Sequence, residues 1–197
     1  MDITRIRMTN EQYMAMTDDG KRYELHDGIL KQEDYGEDNG VEMPSAVFIH
    51  NWIVSVLQYA LMQLTFKPHL GYVLGDGQDY ILDRGVILKP DVSFIAGRFE
   101  TFPKYPTTSP DIAVEILSPS NTASEMNYKI NAYIQYGSRL VWIVDPEREI
   151  VTTYRPGQEG DIIARVLRID DVLTGGDMLS DFRLPLHDLF GSIPPEA

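Results

Sequence analysis

Two short apolar segments of the chain each begin with a Pro-Asp pair, and the second carries another acid in its middle. The first segment, residues 90–95, is led by Asp91, and in the second, residues 110–118, Asp111 precedes Glu115. A carboxylate inside a buried strand is costly unless a partner or an ion balances its charge. If the two segments are neighbouring strands, Asp91 and Glu115 can reach one divalent cation. Oxygen ligands favour Mg²⁺ or Mn²⁺ over Zn²⁺.

Three further polar residues stand where they could join these carboxylates. Lys129 lies on the helix predicted to follow the second segment. A lysine beside a metal-bound water can orient that water and stabilise the charge that develops on a phosphate. Glu24 and His50 are polar residues inside otherwise core-like segments, and they could converge on the same pocket.

Structural roles are the simpler explanation for some of these acids. An aspartate after proline at the start of a strand often only caps a turn, and we favour that role for Asp111. For Asp91 we favour metal binding, because Glu115 would support it. A buried pair with an arginine or lysine is the main alternative for Glu115.

Structural alternatives also exist for the supporting residues. Lys129 could pair on the helix surface with Glu125, four residues earlier, for about 0.3–0.5 kcal/mol. Glu24 could pair with Lys21 or Arg22 across a hairpin. His50 could be a histidine at the edge of the core.

Length, composition and charge limit the kinds of protein that this chain can be. The 197 residues predict a single domain over 1–197, and no cysteine is present. Lysine and arginine total 17 against 30 acidic residues, a net charge of −13 that repels nucleic acid at long range. The first residues lack a signal-peptide pattern, so we expect a cytoplasmic protein. No apolar run looks long enough to span a bilayer, and we expect no membrane contact.

Periodicity and turn residues predict the elements. The capping box at 9–12 predicts a short helix, Asp27-Gly28 predicts a hairpin turn, and 33–44 reads as a loop. The remaining predictions are a long amphipathic helix at 46–65, strands within 72–95, a strand at 112–117, a helix from Ser120 or Asn121 to Tyr136, strands at 140–144, 149–154 and 162–167, and a short helix near 184–190.

The order of these elements predicts the fold class. A strand, a helix and a strand over 112–144 need a crossover, so those strands should be parallel. The strands before them suggest an antiparallel meander. We therefore expect an α/β fold in which helices flank a mixed sheet.

An ordered series of motifs over about residues 8–190 resembles the Uma-type family of restriction-endonuclease-like proteins in the PD-(D/E)XK nuclease superfamily. The matching residues are Arg22 to Gly28, Met43-Pro44-Ser45 with His50, Pro90-Asp91, Glu115 to Ser120, Lys129, Tyr133, Gly137, Trp142 to Pro146, and Leu184-Pro185-Leu186 with Leu189-Phe190.

The resemblance implies a restriction-endonuclease-like core and assigns a role to each site residue. Asp91, Glu115 and the backbone carbonyl of Ile116 would bind Mg²⁺ or Mn²⁺. Lys129 would replace the superfamily lysine, which normally stands two residues after the acid, where this chain has Leu117.

The sequence thus leads to a hypothesis with two alternatives. The hypothesis is a metal-dependent DNA endonuclease that hydrolyses phosphodiester bonds and attracts DNA only weakly at long range. It would be a homodimer, since an apolar surface helix is predicted and both DNA strands must be cut. The alternatives are a catalytically degenerate binding or oligomeric protein, and a hydrolase of a small phosphorylated compound.

Overall fold

The computed structural model describes residues 6–33, 37–38, 41–42, 44–66 and 68–191. Its helices are α1 (Asn10–Met14), α2 (Pro44–Thr65), α3 (Ala123–Gln135) and α4 (Leu186–Phe190). Its strands are β1 (Arg22–His26), β2 (Ile29–Glu33), β3 (Glu37–Asp38), β4 (Val41–Glu42), β5 (Gly71–Gly75), β6 (Tyr80–Asp83), β7 (Val86–Leu88), β8 (Val92–Ala96), β9 (Ile112–Ile116), β10 (Leu140–Asp145), β11 (Ile150–Pro156), β12 (Ile162–Leu167), β13 (Val172–Gly175) and β14 (Leu179–Pro185).

A six-stranded central sheet organises the molecule, with the strand order β12-β11-β10-β9-β8-β5. Strands β9 and β10 are parallel and are connected through α3, as the crossover argument predicts. The other neighbours in this sheet are antiparallel. Strand β8 lies beside β9, with Val92 opposite Val114, so the two Pro-Asp segments are adjacent. The predicted mixed sheet flanked by helices is therefore confirmed.

Helices α2 and α3 cover opposite faces of the central sheet. The side chains of each strand alternate between these faces, so that neighbouring residues enter different cores. On β9, Val114 and Ile116 belong to the core beneath α2, while Ala113 belongs to the core beneath α3. Both faces of this strand are buried, which accounts for its nearly continuous apolar sequence. The same alternation places Glu115 on the α3 face.

A second, four-stranded sheet closes the α3 side, with the order β2-β1-β7-β6. Its β1–β2 hairpin turns at Asp27 and Gly28, whose φ angles are 50° and 77°. Two positive φ angles are what a type I′ turn requires, so the Asp-Gly prediction is confirmed. Tyr80 and Leu88 of this sheet share a core with Tyr133 of α3.

The sheet assignment of the early strands corrects one prediction. They do not form one antiparallel meander, because β6 and β7 pair with the N-terminal hairpin while β5 and β8 pair in the central sheet. A hairpin of β13 and β14, absent from our predictions, precedes the short C-terminal helix that was expected. Both errors concern strand pairing.

Helix starts follow the side-chain caps. Thr9 and Gln12 form the predicted capping box of α1. For α3 the predicted caps were wrong, since Thr122 rather than Ser120 or Asn121 caps the helix. Thr122 is the favoured N-cap because Glu125, three residues later, completes a reciprocal capping box.

The predicted loop over 33–44 is described only in part. Strands β3 and β4 form a short antiparallel pair within it, which the prediction missed. Residues 34–36, 39–40 and 43 of the predicted loop lie outside the described residues.

Helix α2 corrects the expectation about membrane-length segments. The 19 residues Val47–Thr65 have a mean hydropathy of 1.3, and by length and composition they could cross a bilayer. One face of this helix nevertheless belongs to the protein core, where Ile53, Leu57 and Leu61 are fully buried. A core helix passes the same test of length and hydropathy, so the composition alone does not indicate a membrane protein.

Candidate active site

Glu115 is a buried carboxylate in the middle of the central sheet. Its side chain points toward α3, where two residues meet it. Lys129 Nζ lies 2.9 Å from Oε2, and the Tyr133 hydroxyl donates a hydrogen bond of 2.6 Å to Oε1. Both carboxylate oxygens therefore have a partner, and the expected alternative of a buried ion pair with lysine is present.

Lys129 is the centre of the cluster and is only 2% exposed. Its Nζ lies 2.9 Å from Glu115 Oε2 and 3.0 Å from Glu24 Oε2, so one ammonium bridges two carboxylates. The surface pair with Glu125 is wrong, because Glu125 instead bonds Thr122 and lies 3.2 Å from Lys31. A lysine carried by α3 thus reaches the acid on β9.

Glu24 is fully buried on β1 and brings the second sheet into the cluster. Its Oε2 accepts a hydrogen bond of 2.9 Å from His26 Nε2, and its Oε1 accepts one of 2.6 Å from the backbone N–H of Lys89. Burial alone raises the pKa of Glu24, but Lys129, His26 and Arg22 outweigh burial and lower the pKa to about 2. Arg22, one of the two partners expected in the hairpin, thus acts on Glu24 through its charge, while the hydrogen bonds to Glu24 come from His26 and the Lys89 backbone.

Asp91 is buried at the start of β8 and lies beside the residue that follows Glu115. Its Oδ2 accepts a hydrogen bond of 2.7 Å from the backbone N–H of Ile116. Its Oδ1 lies 3.4 Å from the Arg22 guanidinium and 3.6 Å from His50 Nε2. The carboxylates of Asp91 and Glu115 are therefore linked through consecutive residues of one strand.

His50 is a buried histidine of α2 that faces Asp91. Burial and the positive charge of Arg22 lower the pKa of His50 to about 4, so the imidazole is neutral at neutral pH. A distance of 3.6 Å is too long for a hydrogen bond to Asp91. His50 therefore borders the carboxylate without forming an ion pair with it.

Arg22 and His26 belong to the cluster, although neither was predicted to be a site residue. Arg22 forms an ion pair with Asp76 and donates to the carbonyl of Lys89. His26 stacks on Tyr128, with ring centroids 4.4 Å apart. Residues 22, 24 and 26 share one face of β1 because strand side chains alternate. Alternating polar residues in a strand that is otherwise apolar are the signal that could have found them.

Asp111 occupies a different position from Asp91 despite its similar sequence context. Its Oδ2 accepts a hydrogen bond of 2.8 Å from the backbone N–H of Ala96. Its backbone carbonyl accepts from the N–H groups of Arg139 and Leu140. These contacts fit the structural role favoured for this residue.

The candidate site offers mainly carboxylate oxygens to a divalent cation. Among the described residues, no group of three or more Asp, Glu, His or Cys side chains is arranged to hold a metal ion. Mg²⁺ commonly takes only one or two carboxylates and fills its other positions with water and substrate oxygens. Asp91, which accepts from the backbone N–H of Ile116, and the adjacent Glu115 would supply these two carboxylates. Arg22 and Lys129, which now contact these carboxylates, would share them with the ion.

Comparisons with known proteins agree with this architecture. The sequence profile of the Uma2 family, described as "Putative restriction endonuclease", matches residues 10–187. A solved structure described as a "putative nuclease belonging to DUF820", from Anabaena variabilis ATCC 29413, matches with a TM-score of 0.78. The two chains are 20% identical over 95% of this chain and 99% of that one, so this likeness shows the fold. No curated protein matches the sequence.

Proposed function

Because this chain belongs to the Uma2 family of putative restriction endonucleases, we propose that it is a metal-dependent DNA endonuclease. The family and the nuclease-like fold support a nuclease. The observation that carries the finer proposal is the buried Lys129 ammonium, held 2.9 Å from Glu115 in a cluster that adjoins Asp91. Buried, mutually perturbed charges of this kind are typical of active sites.

Each residue has a role in the proposed reaction. Asp91, Glu115 and the Ile116 carbonyl would hold Mg²⁺ or Mn²⁺. Such an ion, when bound, lowers the pKa of a water and stabilises the charge on a phosphate. Lys129 would orient the attacking water and stabilise negative charge on the phosphate oxygens.

The residues around Lys129 position it. Glu24 is the second carboxylate in contact with the ammonium, and His26 in turn holds Glu24. Tyr133 fixes the other oxygen of Glu115. Two carboxylates lie within 3.0 Å of Lys129 Nζ, an environment that suits an ammonium group. The lysine therefore acts as a hydrogen-bond donor and a positive charge rather than as a base.

The proposal is tested by comparing the two Pro-Asp aspartates. Purified protein is incubated with supercoiled plasmid, linear duplex and single-stranded DNA in Mg²⁺ or Mn²⁺, with EDTA as the metal-free condition. We expect Asp91→Asn and Glu115→Gln to lower the cleavage rate at least about 100-fold. Asp111→Asn is the matched control and should retain cleavage, since asparagine can still accept from Ala96 N–H. Full cleavage by Asp91→Asn would refute the site.

A second candidate function is binding without catalysis. It is favoured by the cationic neighbours of both carboxylates, Arg22 beside Asp91 and Lys129 beside Glu115, which could serve stability alone. Calorimetric titration with Mn²⁺ separates the two functions. Heat of binding that disappears in Asp91→Asn supports the nuclease, while no binding at millimolar Mn²⁺ supports the second candidate.

A further inference from the structure

Helix α2 exposes a row of apolar side chains on the face that points away from the core. Phe48 and Tyr59 are each 65% exposed and Phe66 is 73% exposed. The row continues beyond the last residue of α2, because the N–H of Phe66 still donates to the carbonyl of Met62. We call this row the α2 seam, and its members are the apolar or aromatic Phe48, Trp52, Tyr59, Met62 and Phe66, with the small, exposed Ser55 among them.

The spacing of the α2 seam is that of a helix-pairing surface. Successive members are four, three, four, three and four residues apart, the a/d spacing of a heptad repeat. The row lies opposite the fully buried Leu57, so the core uses the other side of the helix. Contiguous exposed apolar surface of this kind marks an interaction site.

The spacing also reads the same in both directions. Positions 48 and 66, 52 and 62, and 55 and 59 are each symmetric about position 57. A twofold axis at that point would place each seam member of one copy opposite a seam member of the other. Isologous interfaces of this type are the commonest in homodimers.

Charge favours a second copy of this chain as the occupant. The 22 residues of α2 include no Asp, Glu, Lys or Arg, although the chain has a net charge of −13. Two acidic copies repel wherever their charged surfaces meet, and a surface without charge is where they can approach. The inward face of the helix is part of the core, which leaves only the seam for a partner.

From these observations, we propose that two copies of this chain form a dimer in which their α2 seams pair antiparallel. Phe48 then packs on Phe66 of the other copy, Trp52 on Met62, and the small Ser55 on the large Tyr59. A parallel pair would instead stack Ser55 on Ser55 and leave that layer poorly filled. Antiparallel helices also oppose their dipoles favourably.

The pairing has a consequence for the two candidate sites. His50 of α2 borders Asp91, seven residues from the proposed axis. At 1.5 Å per residue, the two His50 positions would be about 20 Å apart along the helix axes. The dimer itself does not depend on nuclease activity, so a failed cleavage assay leaves it standing.

Sedimentation equilibrium on the full chain tests the dimer directly. We expect wild type to reach twice its chain mass of 22.4 kDa at micromolar concentration. Tyr59→Glu should weaken association at least about tenfold, since a charge enters the interface twice. Val166→Glu on β12 is the matched control, because Val166 is 48% exposed outside the seam, and it should leave the dimer intact. A wild type that remains monomeric up to about 100 µM overturns the proposal, because its dissociation constant would then lie above that concentration.

Cross-linking tests the orientation. The chain has no cysteine, so an introduced cysteine is the only thiol that can react with a cross-linker. With a short bismaleimide, a mixture of Phe48→Cys and Phe66→Cys should yield a linked dimer, while Phe48→Cys alone should not. Efficient self-linking of Phe48→Cys would show a parallel pair and overturn the antiparallel one.

Binding of the α2 seam to a lipid membrane is the remaining alternative. Flotation with phosphatidylcholine vesicles should leave wild type unbound. A monomeric protein that floats with the vesicles would overturn the dimer and assign the seam to lipid.

Discussion

At the scale of single residues, the candidate site is a short row of buried charges. Lys129 lies between Glu24 and Glu115, with both carboxylates within 3.0 Å of its Nζ. Removing one member of such a row leaves a buried charge uncompensated, which typically costs about 3–5 kcal/mol of stability. Each of these three side chains therefore contributes to stability as well as to the proposed chemistry.

Glu24→Gln should reveal this contribution through pH. The folded-state pKa of Glu24 lies below its ordinary value of 4.5, at about 2. A carboxyl with a lowered pKa stabilises the fold above its unfolded-state pKa, and that stabilisation is lost as the pH falls through the folded-state value. We expect the variant to lose about 3 kcal/mol of unfolding free energy at pH 7. The difference from wild type should shrink between pH 4.5 and 2, as measured by denaturant titration.

Glu125→Gln is the matched control for that experiment. Glu125 is a half-buried carboxylate in the first turn of α3, and glutamine can serve equally in a capping box. Its replacement should cost less than about 1 kcal/mol. A Glu24→Gln difference that stayed constant down to pH 2 would contradict an ionised Glu24 in the folded state.

At the scale of elements, the position of α3 decides whether Lys129 reaches Glu115. The helix begins where Thr122 caps it, and Lys129 follows seven residues later, almost two turns along. The next residue toward the cap, Tyr128, donates to Asp27 in the hairpin turn and accepts from its backbone N–H. The lysine is thus carried by a helix that is fixed at its start and against the hairpin.

Thr122→Ala tests the cap. Loss of the threonine hydroxyl should lower the unfolding free energy by about 1 kcal/mol, because the Glu125 N–H loses its acceptor. Thr122→Ser keeps the hydroxyl and should retain most of the stability. Thermal denaturation of both variants measures the effect. Equal melting temperatures for the alanine variant and wild type would show that the cap does not stabilise α3.

Local sequence patterns predicted most elements, and they did so for physical reasons. The hairpin turn follows from the φ angles that Asp27 and Gly28 can adopt, and the parallel pair β9–β10 follows from the need for a crossover. The position of Lys129 on the helix after the second segment suggested that it could join Glu115, and the resemblance to a family favoured that role over the surface pair with Glu125. Periodicity alone left Lys129 free to be a surface residue.

Other features depended on contacts that a local pattern does not encode. Strand β1 pairs with β7 some sixty residues away, which divided the expected meander between two sheets. The β13–β14 hairpin, by contrast, did carry a local signal that our predictions left unused, since β13 alternates exposed and buried residues and Gly176-Asp177 follows it. Arg22 was missed because its partner Asp76 lies on a distant loop.

At the scale of the whole molecule, the net negative charge bears on the proposed binding of DNA. A net charge of −13 gives little long-range attraction to a phosphate backbone. The described cations of the candidate site, Arg22 and Lys129, are both engaged with carboxylates. DNA would therefore be held by few phosphate contacts.

Salt dependence tests that expectation. Binding to DNA weakens with salt in proportion to the number of phosphates that the protein neutralises. We expect the logarithm of the KM for linear duplex, at fixed Mg²⁺, to change little with the logarithm of KCl concentration. A steep increase of KM with salt would instead indicate a local basic cleft on the acidic body.

The two tryptophans of the chain lie in contrasting surroundings. Trp142 is fully buried in the central sheet and stacks on Phe182 at 5.6 Å, whereas Trp52 belongs to the solvent-facing seam of α2. Intrinsic fluorescence of two single-tryptophan variants can therefore distinguish assembly from unfolding without a label. Replacing Trp142 with phenylalanine leaves an emission spectrum that reports on the seam, and replacing Trp52 leaves one that reports on the core.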